Sequence, residues 1–379
     1  LSETQLGALS ATQLGALTAT ALSAMDGTQM SALTSTQVKG LTTTQLAGLN
    51  ETDVGELAST QLAALATTQL GAFSTTNIAA LSTTQLSGLT STQIGGLSVT
   101  NLSALDATQM AALNETQVKG LTATQLRSIS ATDFAELTTT QLGALTSTQI
   151  GALSATNVSA MDATQMAALT ETQLKGLTAT QIKGLTETDV GELSQTQIGQ
   201  LSGTQLSNLT ATAFSALDGT QVGQLSATQI KALAVTQLRG LTETDVGELS
   251  ATQIGALSAS QVGALSATAL SALDATQMAA LTSTQLKGLT TTQLAGLNET
   301  DVGELASTQL AALATTQLGA FSTTNIAALS TTQLAGLTST QVGGLSATNL
   351  SALDATQMGA LNETQVKGLT ATQLRSLNE

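Results

Sequence analysis

An eight-residue period runs through this chain without insertion or deletion. From Leu1 to Leu377 every eighth residue is Leu, apart from Met25, Phe73, Ile129, Met161 and Phe321. The unit is typified by Leu9-Ser10-Ala11-Thr12-Gln13-Leu14-Gly15-Ala16. A short unit cannot bury its apolar face alone, so a period this strict leads to an array in which each repeat is stabilised by its neighbours. Positions are counted 1–8 from the leading Leu of each octad.

The unit reads as a short helix with its own cap. Position 2 is Ser, Thr, Asp or Asn everywhere except Ala58, Ala66, Ala234, Ala306 and Ala314. These are N-cap residues, whose side-chain oxygen accepts an orphan backbone N–H. Position 5 is usually Gln, and Asp at Asp53, Asp133, Asp189, Asp245 and Asp301. Ser/Thr-x-x-Gln is a capping box, and apolar residues at positions 1 and 6 form the accompanying staple. Every Lys and Arg, from Lys39 to Arg375, falls at position 7, while acidic residues occupy positions 2, 3, 5 and 8. Base in the last turn and acid in the first complement the helix dipole. The position-8 acids Glu56, Glu136, Glu192, Glu248 and Glu304 depart from that trend. Gly at position 8, as in Gly40, Gly48, Gly88 and Gly120, suits a helix C-terminus. A period of eight fits no continuous coiled coil, and so short a helix is unstable alone. The expected fold is all-α, a superhelical solenoid with one short helix per octad over residues 1–379. The alternative is a β-solenoid with 16 residues per coil, favoured by the Thr column at position 4 and opposed by Asp, Asn and Gln at positions 2 and 5.

On a helical wheel, positions 5 and 8 and the next Leu share the expected buried face. Positions 3 and 7 face water, and position 6 falls on the flank. A longer period overlies the octad. Units with Asp at position 2 begin at Met25, Leu105, Met161, Leu217, Leu273 and Leu353, separated by ten, seven, seven, seven and ten octads. Both gaps are near-multiples of about 3.4 octads, which predicts turns of that size on solenoid logic. Residues 1–131 nearly recur as 249–379. Leu377-Asn378-Glu379 opens another octad and neither end carries a polar cap, which suggests a window of a longer array.

Composition narrows the function. The chain lacks Cys, His, Trp, Tyr and Pro and has a net charge of −15. Without Cys or His, disulfides, zinc sites and most nucleophile–base pairs cannot be built. The acidic balance argues against nucleic acid, and no apolar run is long enough to span a membrane. No catalytic, cofactor-binding or metal-binding residue is assigned, and no enzyme activity is expected.

Three features are candidates for contact. The Asp/Glu pairs at positions 5 and 8 read as Ca²⁺ ligands or as ion pairs with bases of the preceding octad, such as Arg239 with Asp245 or Glu248; the ion pair is preferred. The Thr column, broken only by Ser260, reads as a surface array matching ice or a mineral, or as a half-buried hydroxyl ladder; the ladder is preferred. Asn-x-Ser/Thr occurs at Asn50, Asn101, Asn114, Asn157, Asn208, Asn298, Asn349 and Asn362, acceptor motifs that the Thr column largely supplies by default.

Octads such as Leu145-Thr146-Ser147-Thr148-Gln149-Ile150 resemble low-complexity repeats of very large secreted or cell-surface, adhesin-like bacterial proteins. The resemblance spans the chain and implies an extracellular structural or adhesive role. The expected role is a filament, sheath or stalk formed by self-association, and the alternative is an adhesin arm or an ice- or surface-binding array with possible glycan contact.

Overall fold

The computed structural model describes residues 1–377; Asn378 and Glu379, read above as opening a further octad, lie outside the described residues. Among the described residues there are 47 helices, each four to six residues long, and no strand. The fold is an all-α solenoid, and the β-solenoid alternative is overturned. Capping decides against strands: the position-2 backbone is extended, and the next residue enters a helix. In helix Ala11–Gly15, Ser10 Oγ accepts the Gln13 N–H at 3.2 Å while Gln13 Oε1 accepts the Ser10 N–H at 2.9 Å. The same reciprocal pair recurs in most octads, for example at Thr282 and Gln285. At Ala58 the side-chain half is missing, yet Gln61 still accepts the Ala58 N–H at 2.6 Å.

The chain forms two compact bodies, Leu1–Gly184 and Leu185–Glu379. Within each body, a helix packs chiefly against the helix three places further on, as Ser147–Ala152 does on Glu171–Gly176 and Ala251–Ala256 on Ala275–Ala280. Hydrogen bonds between stacked turns join residues 28 and 31 apart, for instance Gln45 to Leu17 and Leu14. Bonds 28 and 31 residues apart and packing against the third helix on place one turn at between three and four octads, a range that contains the 3.4 expected from the long period.

Burial corrects the helical wheel. Position 6 is the innermost residue: Leu46, Ile94, Leu142, Ile230 and Leu310 are all 0% exposed. The position-1 Leu residues close the core beside them at a few per cent, while position 8 is mostly half-buried. The wheel assumed one flat buried face spanning positions 8, 5 and 1. A closed turn instead wraps each helix around an interior, and at roughly 100° per residue an arc through positions 5, 1 and 6 moves position 8 to the flank. Phe73, Phe134, Phe214 and Phe321 fill the same core positions.

The position-8 glycines also have a different cause from the one expected. No described residue has positive φ, and Gly40 ends its helix in ordinary right-handed geometry (φ −81°, ψ −10°). Gly40 is needed for space. A β-carbon there would lie 2.5 Å from Ala11 O and 2.6 Å from Ala11 Cβ, on the turn below.

Candidate functional site: the interface between turns

The chemistry-bearing positions converge at the stacking of one turn on another. Short helices leave their last carbonyls without intrahelical partners. Gln at position 5 satisfies them across the turn. Gln37 Nε2 donates to Leu6 O at 2.8 Å and Leu9 O at 2.9 Å, while its Oε1 accepts the Thr34 N–H and hydroxyl at 2.8 and 3.0 Å. One amide thus caps its own helix and ties it to the previous turn. The pattern repeats at Gln117, Gln173, Gln285 and Gln341. These amides are nearly fully buried, where a polar group must be paired. Asn at position 5 is one methylene shorter and reaches a single carbonyl, as Asn77 does at Leu49 O, 2.9 Å away.

Asp at position 5 keeps the cap and loses the donor. Asp53 Oδ2 accepts the Asn50 N–H at 2.9 Å and also accepts the Ser23 hydroxyl at 2.5 Å from the turn below. Ser215 donates likewise to Asp245 at 2.5 Å, and Ser271 to Asp301. Asp53 and Asp301 are 96% and 97% buried. Three residues on, a Glu side chain lies over the turn below: a β-carbon on Gly27 would be 2.9 Å from Glu56 Oε1, and one on Gly219 would be 3.3 Å from Glu248 Cδ.

The ion pair expected between Arg239 and Asp245 or Glu248 does not form. The ion pairs among the described residues are Lys175–Glu171 and Lys367–Glu363, each within one helix and exposed. The acids instead face other acids. Burial raises the carboxyls of Glu136, Glu248 and Glu304, and the position-5 Asp beside each and the position-2 Asp thirty residues earlier raise them further. The Oε2 atoms of Glu56, Glu136, Glu248 and Glu304 are shielded from solvent with no hydrogen-bond partner. Adjacency of the octads is not enough, because a base at position 7 points outward, away from the stack, as the wheel expected. Among the described residues no group of three acidic side chains converges as metal ligands, so the Ca²⁺ reading gains no geometry.

The half-buried Thr ladder is also overturned. Position 4 is exposed in every octad, from Thr4 to Thr372, because the rotation that brings position 6 inward turns position 4 outward. Its hydroxyl meets a neighbouring cap in some octads, as at Ser74 and Thr76 (2.8 Å). Of the Asn-x-Ser/Thr motifs, Asn101, Asn157 and Asn349 are buried at position 5, with Asn157 donating to Ile129 O at 3.0 Å. The caps Asn50, Asn114, Asn298 and Asn362 are exposed. No helix among the described residues is long and apolar enough to cross a membrane.

Comparison with known families gives a repeat match. The ALTTAQ repeat matches residues 62–99, 134–171 and 310–347, under half of the chain. No curated protein matches. Two of the matched stretches, 62–99 and 310–347, belong to the duplicated portions, and the third lies outside them. The chain is a tandem-repeat protein, three stretches of which match the ALTTAQ repeat.

Proposed function

We propose that this is a non-catalytic structural protein, an extracellular filament, sheath or stalk element assembled by stacking of its octads. The observation that carries the reading is the glutamine ladder. Gln181 and its counterparts bond to backbone carbonyls, which every octad presents regardless of side chain. Such an interface accepts any number of further turns, and each added turn buries the same apolar residues as the last, so stability grows with length. Mechanical load along the stack is then shared by repeated amide–carbonyl bonds and a continuous Leu core. The octapeptide pattern, resembling that of large secreted bacterial surface proteins, supports an extracellular site. Negative-stain electron microscopy of the purified chain and of the native material tests this reading. Regular fibres of constant width are expected; isolated particles at every concentration and in the native material would overturn it.

A second reading is favoured by one specific observation, the exposure of the position-4 Thr column in every octad. A row of hydroxyl and methyl groups on a rigid scaffold suits an ice or mineral surface. Thermal-hysteresis activity, lost on replacing several of Thr76, Thr84 and Thr92 by Lys, is its expected signature.

A further inference from the structure

We propose that the Asp/Glu octads are register keys, which specify the octad on which each of them stacks. The glutamine ladder cannot do this. Its acceptors are main-chain carbonyls, so a turn displaced by one octad would find the same partners. Asp at position 5 breaks that degeneracy at Asp53, Asp245 and Asp301, whose carboxylates take a hydroxyl donor from the turn below.

Sequence and structure agree on where the donor is. Ser23, Ser103, Ser159, Ser215 and Ser271 stand at position 7, thirty residues before Asp53, Asp133, Asp189, Asp245 and Asp301. Ser holds position 7 in only nine octads, yet all five acids are matched. The structure shows the bond at Asp53, Asp245 and Asp301. Where the cap is Asn, it grips the same hydroxyl: Asn298 Nδ2 donates to Ser271 Oγ at 3.1 Å, and Asn50 to Ser23 at 3.3 Å.

Displacement is selected against at Asp301. One octad either way would set it over Ala279 or Gly263, neither of which has a hydroxyl. Displaced, Asp301 would keep the Asn298 N–H but lose the hydroxyl, and a buried carboxylate short of a donor is unfavourable. The Glu that follows adds a steric condition. The residue 29 positions before each Glu in the sequence is Gly or Ala in all five cases, at Gly27, Ala107, Ala163, Gly219 and Ala275, and the two glycines lie against Glu56 and Glu248. The spacing of seven and ten octads is then the spacing of matched key-and-socket pairs. It disfavours a one-octad slip in both directions at Asp133, Asp189 and Asp301 and in one direction at Asp53 and Asp245, where Ser31 and Ser207 offer a second hydroxyl. This inference does not depend on the filament role.

The test uses the full chain, whose lack of Cys makes engineered pairs unambiguous. Gly199→Cys with Gln224→Cys reports native stacking, since their β-carbons would be 3.4 Å apart. Ser207→Cys with Gln224→Cys reports a turn one octad shorter. Each pair is placed in the parent and in a keyless chain carrying Asp53→Gln, Asp133→Gln, Asp189→Gln, Asp245→Gln and Asp301→Gln, then oxidised during refolding. The keyless chain should fold, with its ratio of native to displaced cross-links lowered by about tenfold, equivalent to about 1.4 kcal/mol of lost discrimination. An unchanged ratio would overturn the proposal, and so would failure of the keyless chain to fold, because the acids would then serve stability and not register. A second measurement is independent of cross-linking. Ser215→Ala should lower hydrogen-exchange protection around residues 242–248, and adding Asp245→Gln should restore it. Protection that is unaffected by Ser215→Ala, or not rescued by the second change, would also overturn it.

Discussion

Gln181 donates its side-chain amide to Ile150 O at 2.7 Å and to Leu153 O at 2.9 Å, a full turn earlier in the solenoid. Its Oε1 accepts the N–H of Thr178, the cap of its own helix, at 2.7 Å. A single side chain therefore makes the local structure and the tertiary contact interdependent. Gln181→Leu removes both, leaving Leu153 O and the Thr178 N–H without their side-chain partner and Ile150 O with only the Leu153 N–H. A local loss of about 3 kcal/mol is expected, read as lost hydrogen-exchange protection over residues 147–184. Gln181→Asn should lose less, because Asn157 shows that the shorter amide still reaches one carbonyl.

Leu46 is wholly buried and Ala47, the next residue, is exposed. Leu46→Ala should cost about 2–5 kcal/mol, the usual range for a core truncation. Ala47→Ser should stay within about 0.5 kcal/mol, as surface changes do. Chemical denaturation followed by circular dichroism, with exchange data to localise the loss, distinguishes the two.

Gly288 and Gly247 should respond to alanine with opposite signs. A β-carbon on Gly288 would lie 2.5 Å from Ala259 O, a backbone atom of the turn below, whereas one on Gly247 meets nothing within 4 Å. Gly288→Ala forces the turns apart and should cost about 1–3 kcal/mol. Gly247→Ala removes a flexible residue from helix Glu243–Gly247 and should stabilise by about 0.5–1 kcal/mol. Thermal melts of the two variants beside the parent check the sign.

Ala58 and Ala306 cap their helices without a side-chain acceptor. Ala58→Ser supplies one in a backbone already extended for it, and a gain of about 1 kcal/mol is expected. The gain should appear in exchange protection of the first turn of helix Ser59–Ala64.

Acidification should tighten the stack. Glu136, Glu248 and Glu304 have folded-state pKa values raised above the ordinary 4.5 by burial and neighbouring carboxylates. The folded state therefore binds protons more tightly than the unfolded one between 4.5 and each raised value. Stability should rise as pH falls through that window and gain nothing further from these groups below 4.5. Asp218 acts in the opposite sense: hydrogen bonds from Thr220 and Gln221 lower its pKa below 3.8, so its contribution is lost as pH falls through that lowered value. Melting temperature followed from pH 7 to 4.5 should rise in the parent and rise less in the Glu136→Gln, Glu248→Gln, Glu304→Gln triple variant. Equal slopes would rule out the carboxylate stacks as the cause.

Much of this protein was written in its octad. Ser, Thr, Asp or Asn at position 2 with Gln at position 5 declares a helix start, because capping is settled within four consecutive residues. Strict recurrence declares a solenoid. The tertiary structure alone decided which way each helix faces. The wheel gave positions 5, 8 and 1 to the core, but closure around an interior brought position 6 inward and turned the Thr column outward. It also decided the partners: Gln37 bonds carbonyls 28 and 31 residues away, Gly40 makes room for Ala11, and Asp53 faces Ser23 and not a base. Local sequence specifies hydrogen bonds closed within one helix. Contacts between turns depend on how many octads make a circuit, and that number is set by packing of the whole ring of position-6 side chains at once.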